Sequence, residues 1–387
     1  MSSRSSSAII NLAVFAAGFV TFINMWCTQS LLPILAAAFH VSESQIGLTV
    51  TAPLISTAVM APLIGAISDR FGRKRLITGA AFLLFIPTLG AAFSTTLGQF
   101  VLCRFVQGLT LPFIFTITIA YIGEETTGPA TARLAGIYTS GAISGGFSGR
   151  VLSGVITQAA NWHAALFTIA GLSLVMAALI TLTLPRETNF KPLYGISRAL
   201  SSFPRHLSNP RLLATYVAGF GVLFCLVAVF TFINFRLAAT PYHLGPAALG
   251  EIFVVYLSGV VMTPIAGRLA ARFGLRPIMA GATAAILAGL AISLAAPLPL
   301  ILLGLTLICA GIFVQQTLAT SFVSQVAREA KSTAVGLYVT FYYIGGSCGG
   351  FFPGSAWHAY GWPGCAALVL AMQCVMFPIA MRFWEQK

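Results

Sequence analysis

The 387-residue chain is 58% hydrophobic and only 7% charged, with a formal net charge of +13 and a mean hydropathy of +0.91. Soluble domains carry roughly a quarter of their residues as charges, so a water-facing surface cannot be built from this composition and the chain reads as an integral membrane protein. The excess of Lys and Arg would suit nucleic acid only on a folded basic face, and no segment is long enough to supply one, so a nucleic-acid partner is excluded.

A bilayer core takes about 20 apolar helical residues per crossing, and the apolar runs divide into twelve predicted segments. The first covers about 8–36. It is too long for a signal-peptide core and lacks a clear cleavage site, so it is read as a retained helix. Ser42, Glu43 and Ser44 cap the second, which runs to about Ser68. The third to fifth cover about 75–94, 97–122 and 132–157, and the sixth ends at Pro185-Arg186. Residues 186–210 hold Pro192, Pro204 and Pro210 with no spanning run and read as a linker. The second half is predicted at about 211–236, 246–270, 276–296, 298–326, 331–355 and 361–384. The expected domains are therefore an N-terminal bundle (1–185), a linker (186–210) and a C-terminal bundle (211–387).

Lys and Arg concentrate in cytoplasmic loops of membrane proteins. With odd segments running outward, 18 of the 21 cations fall on the cytoplasmic side, and an even number of crossings puts both termini there. The exceptions are Arg104, Arg150 and Arg236, which fall within or at the outer ends of segments. The densest cluster follows the second segment: Gly65, Asp69, Arg70, Gly72, Arg73, Lys74 and Arg75.

The halves repeat. Ala17-Gly18-Phe19 recurs as Ala218-Gly219-Phe220, and Gly136, Tyr138, Gly145, Gly146 and Gly149 recur at Gly336, Tyr338, Gly345, Gly346 and Gly349. The basic loop recurs in weaker form from Gly267 to Arg276, with Ala271 where the first copy has Asp69. Parallel six-helix repeats are a transporter layout, with the binding site expected near the midplane. Gly141, Gly145 and Gly149, like Gly345 and Gly349, are spaced for close helix packing.

Gly65-x-x-x-Asp69-Arg70-x-Gly72-Arg73-Lys74 and Arg104-x-x-Gln107-Gly108 resemble the loop and fourth-helix signatures of the major facilitator superfamily, and within it the twelve-helix drug and sugar efflux group. The resemblance covers essentially the whole chain. It implies the all-α, twelve-helix fold of that family in two parallel six-helix repeats and secondary active transport across the cytoplasmic membrane; the absence of any Asn-X-Ser/Thr sequon and the short outer loops favour a prokaryotic inner membrane. The resemblance further implies efflux by proton exchange, and a latch in which Asp69 and Arg73 hold the outward-open state. A topology anchor without moving parts is the alternative reading of that loop. The fifth segment resembles the group's antiporter motif but lacks its proline, since Ala142 to Gly146 has none.

Ionisable groups within a membrane are costly and mark function. Arg104 and Arg150 are expected to form a positive floor to a substrate site; snorkelling or capping of backbone carbonyls is the competing role. Asn24, Gln29, Gln107, Asn234, Gln315 and Gln316 add polar groups, and Tyr138, Tyr338 and Tyr342 add hydroxyls and ring faces. Of the eight acidic residues only Glu251 comes near such a site. A deep carboxylate would draw cationic cargo and carry protons, so its absence favours an anionic or neutral polar solute. An anion symporter or exchanger using Arg104 and Arg150 is therefore the alternative to proton-coupled efflux, and a non-transporting receptor or lipid-handling scaffold is a third reading. The seven cysteines show no metal or redox spacing and no catalytic set is present. The chain is expected to be a monomer, not an enzyme, without cofactor or metal, whose partners are the bilayer, a small solute and protons as the candidate coupling ion.

Overall fold

The computed structural model describes residues 3–188, 203–327 and 331–384, with the side chains of 3–7, 65, 66, 69, 203, 331 and 332 also outside the description. The expectations for Gly65 and Asp69, and for linker residues 189–202, lie outside the described residues. All regular structure among the described residues is helical: α1 (Ser3–Trp26), a 3-10 turn (Gln29–Leu31), α2 (Leu32–Phe39), α3 (Glu43–Phe71), α4 (Arg73–Ala92), α5 (Leu97–Glu125), α6 (Pro129–Ala159), α7 (Trp162–Thr183), α8 (Phe203–Leu207), α9 (Pro210–Ala238), α10 (Pro246–Glu251), a 3-10 turn (Ile252–Val255), α11 (Tyr256–Phe273), α12 (Leu275–Ser293), α13 (Leu298–Val326), α14 (Lys331–Phe351), α15 (Pro353–Tyr360) and α16 (Trp362–Phe383). Ten of the described helical stretches are long and apolar enough to cross a membrane; the glycine-rich α6 and α14 are not among them.

Helix starts follow from local chemistry. Asn161 accepts from the Ala164 N–H at 2.8 Å to open α7, and Asn209 accepts from the Arg211 N–H at 3.0 Å to open α9, each satisfying a donor that the first turn leaves bare. The basic loop is shorter than its sequence suggests. A single residue, Gly72, joins α3 to α4 at φ 84°, and Gly274 joins α11 to α12 at φ 85°. A residue without Cβ takes that conformation without strain, so one residue suffices and Arg73, Lys74 and Arg75 fall in the first turn of α4.

Three predicted segments are interrupted. The first breaks between Trp26 and Leu32, the eighth between Glu251 and Tyr256, and the eleventh at Phe352 ahead of Pro353. Pro33 and Pro353 each sit where a new helix begins and needs no intrahelical N–H donor.

The chain divides into two compact units: Met1–His40 with Ala52–Ile196 and Gly245–Glu251, and Val41–Thr51 with Ser197–Leu244 and Ile252–Lys387. In the first, α1 lies along α6, where Gly141, Gly145 and Gly149 face the backbone carbonyls of Phe15, Phe19 and Ile23. In the second, α9 lies along α14, where Gly345 and Gly349 face the carbonyls of Phe220 and Phe224. Lipid gives helices no hydrophobic reason to associate, so this backbone-to-backbone approach supplies the dispersion contact that holds each pair.

Candidate functional site

In the first unit the polar residues gather around the break in the first segment. Asn24, fully buried, donates to Ser173 Oγ of α7 at 2.8 Å and accepts from Thr88 Oγ1 of α4 at 2.8 Å. Gln107 of α5 donates to the same Thr88 hydroxyl at 2.7 Å. Arg104, one turn earlier on α5, donates to Gln107 Oε1 at 2.5 Å and to the carbonyls of Asn24 and Met25 at 2.6 Å each. Those carbonyls end α1, where the helix dipole places partial negative charge, so a desolvated guanidinium is held there by aligned acceptors. Gly108 completes the motif differently: its carbonyl accepts from Thr57 of α3 at 3.0 Å, and with no side chain it lets α3 close in. The structure thus places Arg104 against main chain at 1% exposure.

Arg150 of α6 has a different setting. Its Nε donates to Gln29 Oε1 at 2.9 Å, its Nη1 to the Gly146 carbonyl at 2.8 Å, and its guanidinium lies 4.7 Å from the centre of the Trp26 ring. Ser30 Oγ donates to the Arg150 carbonyl at 2.8 Å. Gly146 is bare where a Cβ would reach 3.5 Å from both Arg150 Nη1 and Trp26. A cation, an amide and an aromatic face therefore meet where the first segment loses its helical hydrogen bonds. Tyr138, farther along α6, is buried in an apolar cluster with Val14, Ile122 and Leu134.

The second unit builds a comparable but uncharged network. Gln315 of α13 donates to Thr283 Oγ1 at 3.0 Å and to Gln373 Oε1 of α16 at 2.8 Å, and Gln373 donates to Cys225 Sγ at 3.6 Å. Ile312, three residues before Gln315 as Arg104 is before Gln107, is fully buried. Asn234 donates within α9 to the Phe230 carbonyl at 2.8 Å. Tyr338 stacks on Tyr342 at 6.1 Å and Tyr342 meets Tyr343 edge-on at 5.5 Å, with the Gln316 side chain close to Tyr342. Gly219 leaves space for the Tyr338 ring, whose edge would lie 2.5 Å from a Cβ there. Glu251 ends α10 as an exposed residue.

The basic turn forms a third cluster. Arg73 grips Glu124 of α5 through two bonds, Nη2 to Oε1 at 2.5 Å and Nε to Oε2 at 3.0 Å, and donates to Ser68 Oγ. Two parallel bonds match a guanidinium fork to a carboxylate. The Lys74 N–H donates to Glu187 Oε2 at 3.2 Å, and its ammonium donates to the Leu184 carbonyl at the end of α7. Arg70 is exposed over the Phe71 ring.

Trp26, Thr88, Ser173, Thr283 and Gln373 are the members that sequence reasoning passed over. Each is a single polar or aromatic residue in an apolar run, and its role depends on a partner dozens of positions away. Among the described residues no group of three or more His, Cys, Asp or Glu could hold a metal ion.

Residues 14–381 match the family model described as Major Facilitator Superfamily. The inner membrane transport protein YnfM of Escherichia coli (strain K12) is 32% identical over 376 residues, 96% of this chain and 90% of its own. An uncharacterized transporter of Buchnera aphidicola subsp. Schizaphis graminum is 30% identical over 362 residues, 93% of this chain and 88% of its own. Among solved structures, that of the nucleoside transporter NupG superposes with a TM-score of 0.81 over 97% of this chain and 100% of its own, at 18% identity, a likeness of fold. With its apolar helices and these bacterial relatives, the chain is a multi-pass protein of a prokaryotic inner membrane.

Proposed function

Because the chain belongs to the Major Facilitator Superfamily and is a secondary active transporter of small molecules rather than an enzyme, we propose that it moves an anionic or neutral polar organic solute by alternating access, with Arg150 as the cation that meets the cargo. The carrying observation is the convergence of Arg150, Gln29 and Trp26 at a helix break, in a protein whose described buried side chains include no Asp or Glu. A guanidinium beside an aromatic face suits a carboxylate or a planar polar group. Arg104, engaged with the end of α1, is assigned to holding the break. Twelve crossings in two six-helix halves with both termini cytoplasmic are part of the same proposal, supported by the paired glycine seams, the matched turns at Gly72 and Gly274, and the distribution of cations.

Efflux in exchange for protons is the proposed direction and rests on the helix-loop resemblance to the efflux group. The second reading, symport or exchange of an organic anion, is favoured by the buried guanidinium without a described buried carboxylate. Proteoliposomes under an imposed pH gradient separate the two: efflux by exchange responds to an inward proton gradient, whereas anion exchange follows the opposing anion at zero gradient. Arg150→Gln is expected to cut flux at least about tenfold, the equivalent of one lost charged hydrogen bond, with folding preserved. Flux and binding at wild-type levels in that variant would remove Arg150 from the site.

The turn at Gly72 is proposed as a gating element working through Asp69 and the Arg73–Glu124 pair. Asp69→Ala and Glu124→Gln are each expected to slow transport several-fold, roughly 1 kcal/mol, while cargo affinity stays near wild type. Wild-type flux at equal expression would leave the turn as a topology anchor only.

A further inference from the structure

At the end of the first unit that carries Arg73, outside the polar network, lies a recess of about 500 Å³ whose lining includes Arg70, Lys74, Arg75, Arg186 and Glu187. Four of these are cations. The one carboxylate is turned to the start of α4, where it accepts from the Lys74 N–H at 3.2 Å. Gly72 makes room for it: a Cβ there would lie 2.5 Å from Glu187 Oε1. Among the described residues the side chains of Arg75 and Arg186 make no hydrogen bond or ion pair. The recess therefore presents surplus positive charge with two guanidiniums uncommitted.

Below it the surface turns apolar along two helices. From Arg75 the same face of α4 continues through Gly79, Phe82 and Ile86, the last two 41% and 61% exposed. On α7 the row leading to Arg186 runs Gly171, Val175 and Leu182, the last two 59% and 83% exposed. The helices are antiparallel neighbours. Phe93 meets Phe167 at 4.9 Å near one end of the pair, and Lys74 reaches the Leu184 carbonyl at the other. Nothing comes within 4 Å of where a Cβ would stand on Gly79 or Gly171, so both rows are indented on their open side.

A cationic recess continuous with two apolar rows matches one shape of ligand, an amphiphile with an anionic head and parallel chains. We propose that this recess binds the phosphate head of an anionic phospholipid from the adjoining leaflet, with its acyl chains lying along α4 and α7. Guanidiniums pair with phosphate in planar, two-point fashion, and basic recesses at helix ends favour anionic lipid. A soluble phosphate compound would use the cations but leave the apolar rows without a role. The leaflet is the cytoplasmic one in the orientation proposed above, although the binding chemistry does not depend on that orientation or on the cargo.

The test reads lipid binding by the purified full chain, not flux. Native mass spectrometry and melting curves are recorded with dioleoylphosphatidylglycerol and with dioleoylphosphatidylcholine. The anionic lipid is expected to stay bound and raise the melting temperature more than the zwitterionic one. The double variant Arg75→Gln/Arg186→Gln is expected to bind it about tenfold more weakly or worse, from two lost surface charges, while Arg268→Gln, an exposed cation of the other unit, binds as wild type. Equal binding of the two lipids, or an unchanged affinity in the double variant, overturns the proposal. So does displacement of the lipid by an equal concentration of glycerol phosphate, which would mark a site for soluble phosphate. A melting temperature in lipid-free detergent matching wild type establishes that the variant is folded. Arg186→Gln alone, at an exposed position, is read by the same criteria if the double variant is not.

Discussion

Arg104→Ala is expected to destabilise the protein by about 3–5 kcal/mol, the scale of leaving several buried acceptors unpaired, visible as a steep fall in melting temperature in detergent and as poor membrane yield. The side chain donates to the carbonyls of Asn24 and Met25 and to Gln107 Oε1. With the guanidinium gone, these acceptors remain on buried residues, each costing about 1–3 kcal/mol if unpaired. Arg104→Lys is expected to recover only part of the loss, because a compact ammonium cannot reproduce the fork that reaches three acceptors at once. A melting temperature within a degree or two of wild type for Arg104→Ala would sink this account of the helix break. The second unit offers an internal contrast, since Ile312 occupies the corresponding place beside Gln315 and its network is held by neutral amides.

Gly145→Ala is expected to cost about 2–3 kcal/mol, at the upper part of the range for overpacking, and to lower the yield of folded protein. A Cβ at this position runs into the carbonyl oxygen of Phe19, with the Phe19 Cα only 2.8 Å away. Both obstructing atoms are main chain, so no rotamer change can make space and α1 itself must move. Gly136→Ala is the matched control. Nothing lies within 4 Å of a Cβ there, and a change within about 0.5 kcal/mol is expected, as for substitutions away from tight contacts. Equal melting temperatures for the two variants would remove the packing role of Gly145.

That pair also marks where sequence reading stops. Gly136 and Gly145 both recur at an offset of 200 residues, as Gly336 and Gly345, yet only Gly145 and Gly345 face a neighbouring backbone. Repetition signals shared ancestry of a position, whereas crowding depends on the partner helix. The ten long apolar runs were readable because hydropathy is set by composition along one segment. The break after Trp26 was not, because an apolar run keeps its hydropathy whether or not it stays helical. The tie of Arg104 to the end of α1 spans 80 positions, and Thr88, which joins Asn24 to Gln107, is one hydroxyl in an otherwise apolar stretch. Arg150 stood out at once because a charge inside a membrane is rare, but the Trp26 face above it carried no signal of its own.

The glycine seams have a further consequence in conformational entropy. Fixing a long side chain between two helices costs up to about 2 kcal/mol of lost rotamer freedom, and glycine has none to lose. Where Gly141, Gly145 and Gly149 meet the carbonyls of α1, contact is made with little side-chain ordering. Such a seam also has few side-chain wells to cross when it shifts. A small tilt of α6 against α1 meets a smooth, backbone-lined surface instead of a set of interlocked rotamers, and the same holds for α14 on α9.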